Sequence, residues 1–273
     1  MTVCIGAICE GGKSAVAVAD KMVTFGPPMS LQMEPSALKK IAQVNDQSVV
    51  ILFSGSVPDG EELLSLMKNA CKPFGKMSIA NIAEAAKSSY IALKGKRVEE
   101  TLLRPLLGAD YQKFQSLVAQ APSSQILQQI LGMIMQHNLM LEVLVVGMDD
   151  SGSHLSIVVH PGVLLPMETT GYAAVGTGAV HAMVRLSLGQ HNKVASLVDT
   201  VYNVYEAKKA AEVAPGVGKL TDMAIIKDGR VCFMKPEMFK ALEEAHKEKP
   251  ILNASEQEKL KKVCDECTKS TGI

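Results

Sequence analysis

A threonine directly follows the initiator methionine, at the head of an apolar segment that runs from Val3 to Cys9. If Met1 is removed, residue 2 carries both a hydroxyl nucleophile and a free α-amine that can serve as its base. A methionine aminopeptidase can act before a residue as small as threonine. Thr2 therefore has the minimum equipment for acyl transfer through an N-terminal residue. The alternative is that Thr2 is simply a β-prone residue at the start of a strand.

Two charged residues are candidate partners of Thr2. Asp20 ends the second apolar segment, where an unpaired carboxylate would be costly. Lys40 directly precedes a short predicted strand that begins at Ile41. An ammonium fixed beside the Thr2 hydroxyl would stabilise the alkoxide, and Asp20 would hold that ammonium in place. For this pair alone, an ordinary salt bridge at a sheet edge is the alternative.

The turn Ser54-Gly55-Ser56 follows a third apolar segment, 47–53. Glycine lets the backbone N–H approach a ligand closely, so Gly55 is a candidate donor to a developing oxyanion. The alternative is a plain turn between a strand and a helix.

Other motifs carry less chemistry. The turn Gly11-Gly12-Lys13-Ser14 lacks the first glycine of a phosphate loop, because Ala7 stands there. The six histidines show no metal-ligand spacing. Cys264 and Cys267 form a single CxxC pair, for which a metal or redox role remains a minor alternative. The sequence therefore predicts no metal and no organic cofactor.

The predicted strands come mostly in hairpins. Apolar segments pair across short turns at 3–9 with 14–19, 142–147 with 155–160, and 221–227 with 230–234, and single strands are predicted at 47–53 and 172–175. Helical spacing follows from Asp59 and from Ser78, and again at roughly 179–190 and 194–212. Hairpins, rather than single crossover helices, favour an α+β fold of antiparallel sheets between helix layers over a doubly wound parallel sheet.

Composition excludes several classes of protein. The 28 Lys and Arg balance 28 Asp and Glu, which argues against a nucleic-acid partner. The chain lacks the pattern of a signal peptide and a stretch long enough to span a bilayer. The six cysteines show no framework spacing, and several lie in apolar strands, so buried thiols are expected rather than disulfides. These features predict a cytoplasmic protein without a membrane partner.

Five short motifs of this chain, taken together, resemble those of a known family. The motifs, in order, are Thr2, Ala-Asp-x-x-Val-Thr at 19–24, Lys-Lys-Ile at 39–41, Ser-Gly…Asp at 54–59 and Val-Gly-Thr-Gly-Ala at 175–179. Together they resemble proteasome β-subunits and their relatives, the bacterial protease rings and the small proteasome-like proteins of bacteria and archaea. The resemblance covers about residues 2–234. It implies an αββα four-layer sandwich of the N-terminal-nucleophile (Ntn) hydrolases, in a domain spanning 2–235.

The resemblance also implies roles for six residues. It makes Thr2 the nucleophile, Lys40 the activating ammonium, Asp20 its supporting carboxylate, Gly55 the oxyanion donor, Thr177 a hydrogen-bond partner of the terminal amine, and Thr24 a backbone contact for an extended peptide. The implied partners are a peptide or protein substrate and further copies of the chain, as a homo-oligomer that can be a ring.

This chain also departs from the family pattern. An Asp and a Ser expected near the terminal amine align with Ala214 and Val217, and only Asp222, just beyond them, matches. A helical insertion is predicted at about 95–138 and a helical tail at 236–273.

Two functions follow as expectations. The first is an N-terminal-threonine amidase or peptidase, which becomes a peptide ligase if an amine instead of water resolves the acyl-enzyme. The alternative is a non-catalytic assembly or scaffold protein on the same fold, which would retain Met1.

Overall fold

The computed structural model describes residues 2–24, 31–35, 39–73, 75–248 and 254–269. Twelve strands are found there: β1 Cys4–Cys9, β2 Ser14–Asp20, β3 Val23–Thr24, β4 Gln32–Met33, β5 Ile41–Gln43, β6 Val49–Ser54, β7 Glu142–Asp149, β8 Gly152–Val159, β9 Val163–Pro166, β10 Tyr172–Val175, β11 Thr221–Lys227 and β12 Arg230–Phe233. The helices of this part of the chain are α1 Val57–Cys71, α2 Ile79–Val98, α3 Arg104–Leu107, α4 Tyr111–Gln120, α5 Gln125–Gln136, α6 Ala179–Leu188, α7 Leu197–Ala211, α8 Phe239–Glu248 and α9 Ala254–Lys269.

The first five-stranded sheet contains the start of the chain. Its strand order is β10-β1-β2-β11-β12, and every pairing is antiparallel. The β11–β12 hairpin turns at Asp228 and Gly229, which both have positive φ, as a tight two-residue turn requires. Strand β2 is central, so its last residue, Asp20, lies between β1 and β11.

The second five-stranded sheet has the order β5-β6-β7-β8-β9, again antiparallel, and β3 pairs with β4 in a separate ribbon. The prediction of an α+β fold with antiparallel sheets is confirmed. The sequence did not predict β3, β4 and β9. These strands are two to four residues long, which is too short for a periodic hydrophobic pattern, and none of their residues is buried.

Buried side chains hold the two sheets together. One cluster contains Ile8 and Ala17 of the first sheet with Val50, Leu144 and Leu155 of the second. Because side chains alternate along a strand, the opposite faces of the sheets remain to be covered. Helices α6 and α7 pack on the first sheet in a second cluster, and α1 and α2 pack on the second sheet in a third.

The range 95–138, for which an insertion was predicted, is helical. Helix α2 continues through a π-helical turn, Glu99–Leu103, into α3, and α4 and α5 follow. These helices enclose a small cluster of their own around Leu103, Phe114 and Ile130. Residues 95–138 thus add a fourth apolar cluster, which is separate from the three around the sheets.

The cysteine prediction is wrong for one pair. Cys232 of β12 and Cys267 of α9 form a disulfide with a Cα–Cα separation of 5.9 Å. Helix α9 packs against β11 and β12, and this tertiary contact brings together two residues that lie 35 positions apart. Four cysteines stay free and buried: Cys4, Cys9, Cys71 and Cys264. The cytoplasmic location stays a prediction, and it loses the support that thiols alone would have given it.

Across the described ranges, no helix combines the length and apolar character needed to cross a bilayer.

Candidate active site

Thr2 lies two residues before the start of β1 and is buried, with 1% of its surface exposed. Its carbonyl oxygen accepts hydrogen bonds from the backbone N–H of Gly178 at 3.2 Å and from the hydroxyl of Thr177 at 3.3 Å. Both donors belong to the turn that follows β10. The backbone of Thr2 is therefore fixed by a turn more than 170 residues away. Thr177 contacts this carbonyl, whereas the family resemblance implied a contact with the terminal amine.

Asp20 is fully buried at the end of β2. Its Oδ1 accepts the N–H of Val3 at 2.8 Å, and its Oδ2 accepts those of Met22 at 2.8 Å and Gly218 at 3.0 Å. The Thr2 hydroxyl also donates to Oδ1. Hydrogen bonds to an ionised acceptor are among the stronger ones, and three of these come from the rigid backbone. The carboxylate consequently has one fixed orientation.

Lys40 brings its ammonium into the same space. Its Nζ donates to the Thr2 hydroxyl oxygen and to the Met22 carbonyl at 2.5 Å, and lies 3.3 Å from both carboxylate oxygens of Asp20. The residue is 3% exposed. A buried ion pair is tolerated only when further hydrogen bonds satisfy its remaining donors and acceptors. Here one of those acceptors is the hydroxyl of the candidate nucleophile.

The Cys4 thiol lies near this group but is a poor second nucleophile. Burial is the main cause that raises its pKa well above the usual range, partly offset by the positive charge of Lys40. Its sulfur contacts the carbonyl oxygen of Phe53 at 3.4 Å. The thiol therefore stays protonated at neutral pH, which leaves the Thr2 hydroxyl as the candidate nucleophile of this group.

Gly55 directly follows β6 and has a φ of +124°, a region that other residues rarely adopt. A Cβ placed on this glycine would come within 2.0 Å of the Met140 carbonyl oxygen. The turn therefore requires glycine on two independent grounds, its backbone conformation and the close approach of neighbouring backbone.

A cavity of about 690 Å³ adjoins this turn. It is lined by Thr24, Ser54, Gly55, Ser56, Asn138, Met140, Leu141, Glu142, Val159, His160, Gly176 and Thr177. Three predicted site residues, Gly55, Thr177 and Thr24, thus share one cavity. The Thr24 hydroxyl is buried and has no hydrogen-bond partner within the described ranges.

The loop before β11 differs from the family pattern as the sequence indicated. Ala214 and Val217 are buried and apolar. The next residue, Gly218, reaches the site through its backbone N–H, which donates to Asp20. Asp222 forms an ion pair with Lys21 at 2.9 Å, and burial raises the pKa of its carboxyl. This loop contributes backbone, rather than side chains, to the surroundings of Thr2.

Sequence reasoning missed two contributors to the site. Gly218 contributes only through its backbone N–H, so its residue type gave no indication of this role in the sequence. Glu142 opens β7, and its Oε2 accepts the Gly176 N–H at 2.7 Å. Its signal was available, because a carboxylate that opens an apolar strand is as costly to leave unpaired as Asp20, which closes one.

The predicted residues thus fall into two adjacent groups. Thr2 lies with Asp20 and Lys40, and Gly55 lies with Thr177 and Thr24 around the cavity.

In the part of the chain that the structure describes, no cluster of three His, Cys, Asp or Glu side chains is arranged to bind a metal ion. A scan of the sequence against protein-family models finds no match, and a search of curated proteins finds no significantly similar sequence.

Proposed function

We propose that this protein is an N-terminal-threonine amidase or peptidase that works by acyl transfer through Thr2. The observation that carries the proposal is the buried triangle of Thr2, Asp20 and Lys40, in which an ammonium donates to the hydroxyl of the residue behind Met1. A lysine that served only as a structural ion pair would not need that hydroxyl as an acceptor.

The fold belongs to the same proposal. A shared apolar cluster between the two sheets, with α6 and α7 against one and α1 and α2 against the other, supports a four-layer αββα sandwich of the Ntn-hydrolase kind. In such a sandwich Thr2 stands at one end of a central strand, β1, beside the end of β2.

The chemistry requires Thr2 to carry a free α-amine. That amine takes the hydroxyl proton while Oγ bonds to the substrate carbonyl carbon, and the carbonyl electron pair moves onto oxygen. The Lys40 ammonium stabilises the forming Oγ anion, and the N–H of Gly55 is the candidate donor to the oxyanion. When the intermediate collapses, the C–N bond breaks and the leaving amine takes the proton from the α-ammonium.

The ester on Thr2 is then resolved. The α-amine removes a proton from water, the resulting hydroxide adds to the ester carbonyl, and Oγ leaves and is reprotonated. The acid is released and Thr2 is regenerated. If an amine attacks instead, a new amide forms and the enzyme acts as a ligase.

A second candidate is a non-catalytic scaffold on this fold. It is favoured by one specific observation, the apolar residues Ala214 and Val217 where the resemblance calls for an Asp and a Ser. A scaffold would retain Met1, which would leave Thr2 without its base.

Two measurements on the purified protein decide between the candidates. Intact mass spectrometry reports whether Met1 is present. An electrophile that requires both the hydroxyl and the α-amine of an N-terminal threonine should add once to the Met1-free protein and not at all to the Thr2→Ala variant. Met1-free protein that forms no adduct on Thr2 would refute catalysis, and retained Met1 would favour the scaffold.

We also propose a cytoplasmic homo-oligomer. The exposed apolar residues Val180, Val184 and Leu188 repeat every four positions along α6, and a stripe of this kind on a surface helix supports contact with another chain. Sedimentation of the wild type against a Val184→Glu variant tests the assembly.

A further inference from the structure

The cavity beside the candidate nucleophile has a distinct electrostatic character. Of the side chains that line it in the described ranges, one is a carboxylate, Glu142, and none is a lysine or arginine. The other polar groups are hydroxyls, an amide and the imidazole of His160. The volume of about 690 Å³ lies within the range of about 300–1,000 Å³ that is usual for ligand pockets.

The histidine does not cancel the charge of Glu142. Burial is the main cause that lowers the pKa of His160, and the nearby positive charge of Lys94 lowers it further. The imidazole is therefore neutral at pH 7. Its Nδ1 is buried and has no hydrogen-bond partner in the described part of the chain. Lys94 acts on His160 but does not itself line the cavity.

Glu142 is held in place on one side only. The Gly176 N–H donates to Oε2 at 2.7 Å, and this is the hydrogen bond that the described residues provide to the carboxylate. No lysine or arginine of those residues forms an ion pair with it. A half-buried carboxylate in this state is stabilised by a cation that enters the cavity.

Glu142 is also close to the reacting residue. Gly176, which binds Glu142, lies against the Thr2 carbonyl, since a Cβ added to it would come within 2.3 Å of that oxygen. Thr177, the next residue, donates to the same carbonyl. The lining of the cavity thus adjoins the backbone of the proposed nucleophile, and this is the geometric basis for assigning the cavity to the side chain next to the reacting amide bond.

We infer that the cavity receives a basic side chain, lysine or arginine, next to the amide bond that is cleaved, and that Glu142 selects it. This inference rests on the proposed acyl transfer through Thr2. It makes Glu142 a specificity determinant, with no part in bond making or breaking.

Three internally quenched peptides test it. They differ only in a central pair of residues, Lys-Lys, Leu-Leu or Glu-Glu, and mass spectrometry locates the cleaved bond. With Met1-free protein we expect kcat/KM for Lys-Lys to exceed that for Leu-Leu at least about tenfold, as expected for one charge-assisted contact, with Glu-Glu the poorest substrate. Glu142→Gln should abolish most of this preference, chiefly through KM for Lys-Lys.

The glutamine variant is the informative one, because its amide oxygen can still accept the Gly176 N–H while the charge is gone. Glu84→Gln is the matched control, since Glu84 is an exposed carboxylate that pairs with Lys87 on the surface of α2. If Glu142 only orders the turn, Glu142→Gln will leave the ratio of Lys-Lys to Leu-Leu unchanged, and the inference is overturned.

The adduct on Thr2 separates this failure from failure of the proposed function. If Thr2 is labelled but Lys-Lys is not preferred, the inferred specificity for basic side chains is refuted and the proposed amidase function stands. Met1-free protein with neither labelling nor turnover removes the amidase and the inference together.

Discussion

Among the residues that the structure describes, two lysines are buried, and they differ in what their ammonium groups bind. Lys208 of α7 is fully buried and donates to the Glu212 carboxylate at 2.6 Å and to the Lys219 carbonyl at 2.7 Å. Lys40 likewise has a carboxylate and a carbonyl, but it donates in addition to the Thr2 hydroxyl. Burial and ion pairing are thus common to both lysines, and the hydroxyl acceptor is the feature of Lys40 on which its proposed catalytic role rests.

The carboxylates that pair with these two lysines, Asp20 and Glu212, also differ in their surroundings. Asp20 is fully buried and bound by three backbone N–H groups, so it keeps its orientation even if the lysine is lost. Glu212 is partly exposed and is shared with a second lysine, Lys209, at 2.9 Å. The Asp20 arrangement is preorganised around the hydroxyl of the proposed nucleophile, whereas the Glu212 arrangement satisfies charges at the end of a helix.

The largest expected effect is that of Lys40→Met. Removing the ammonium withdraws charge stabilisation from the Thr2 alkoxide, and we expect kcat/KM to fall by about 10²–10³-fold or more. The backbone hydrogen bonds to Asp20 should preserve the fold. The assay is hydrolysis of a quenched peptide, with circular dichroism to verify folding. An unfolded variant would make Lys40 a structural residue, like Lys208.

The second-largest expected effect is a loss of stability that leaves catalysis unchanged. Cys232→Ser opens the disulfide that ties α9 to β12, and we expect the free energy of unfolding to fall by about 2–4 kcal/mol. Activity per folded molecule should not change, because the disulfide joins the tail to the edge strand of the first sheet. Urea unfolding measures the change. Reductant should destabilise the wild type and leave the variant unaffected, and an equal response of both proteins would argue against the disulfide.

Lys208→Met tests the comparison at the lysine whose partners are a carboxylate and a carbonyl. It leaves the Lys219 carbonyl without its donor, which should cost about 1–3 kcal/mol of unfolding free energy, while Glu212 keeps Lys209. The Thr2 adduct should form at the wild-type rate. A loss of labelling as severe as that of Lys40→Met would show that burial alone, and not the hydroxyl contact, is the common cause.

The smallest effect is a pH dependence. Burial is the main cause that lowers the pKa of Lys208, with Glu212 opposing it, from the ordinary value of 10.5. Between the lowered pKa and 10.5, the unfolded chain binds more protons than the folded one, so this lysine makes stability rise with pH. The wild type should therefore gain stability relative to Lys208→Met as pH is raised towards 10. Urea midpoints at several pH values measure the difference, and a constant difference would contradict the prediction.

The sequence by itself determined the strands and hairpins that carry the site. Continuous apolar segments joined by short turns indicated β1, β2, β7, β8, β11 and β12, because the length of an apolar run and turn chemistry are local properties. The second of these segments placed Asp20 at the end of a strand, and a separate short strand predicted from Ile41 placed Lys40 directly before it. Short edge strands such as β9 escaped, since pairing partners rather than their own residues define them.

Tertiary structure decided which of these residues meet. The approach of Lys40 to Thr2 depends on how the second sheet packs on the first, and the disulfide from Cys232 to Cys267 depends on where α9 docks. Gly218 enters the site through a backbone N–H that no motif marks. The position of Glu142 at the start of a strand was visible in the sequence, but its contact with the Gly176 N–H depends on packing. Contacts between residues far apart in the chain arise from packing of whole layers, which local sequence patterns do not encode.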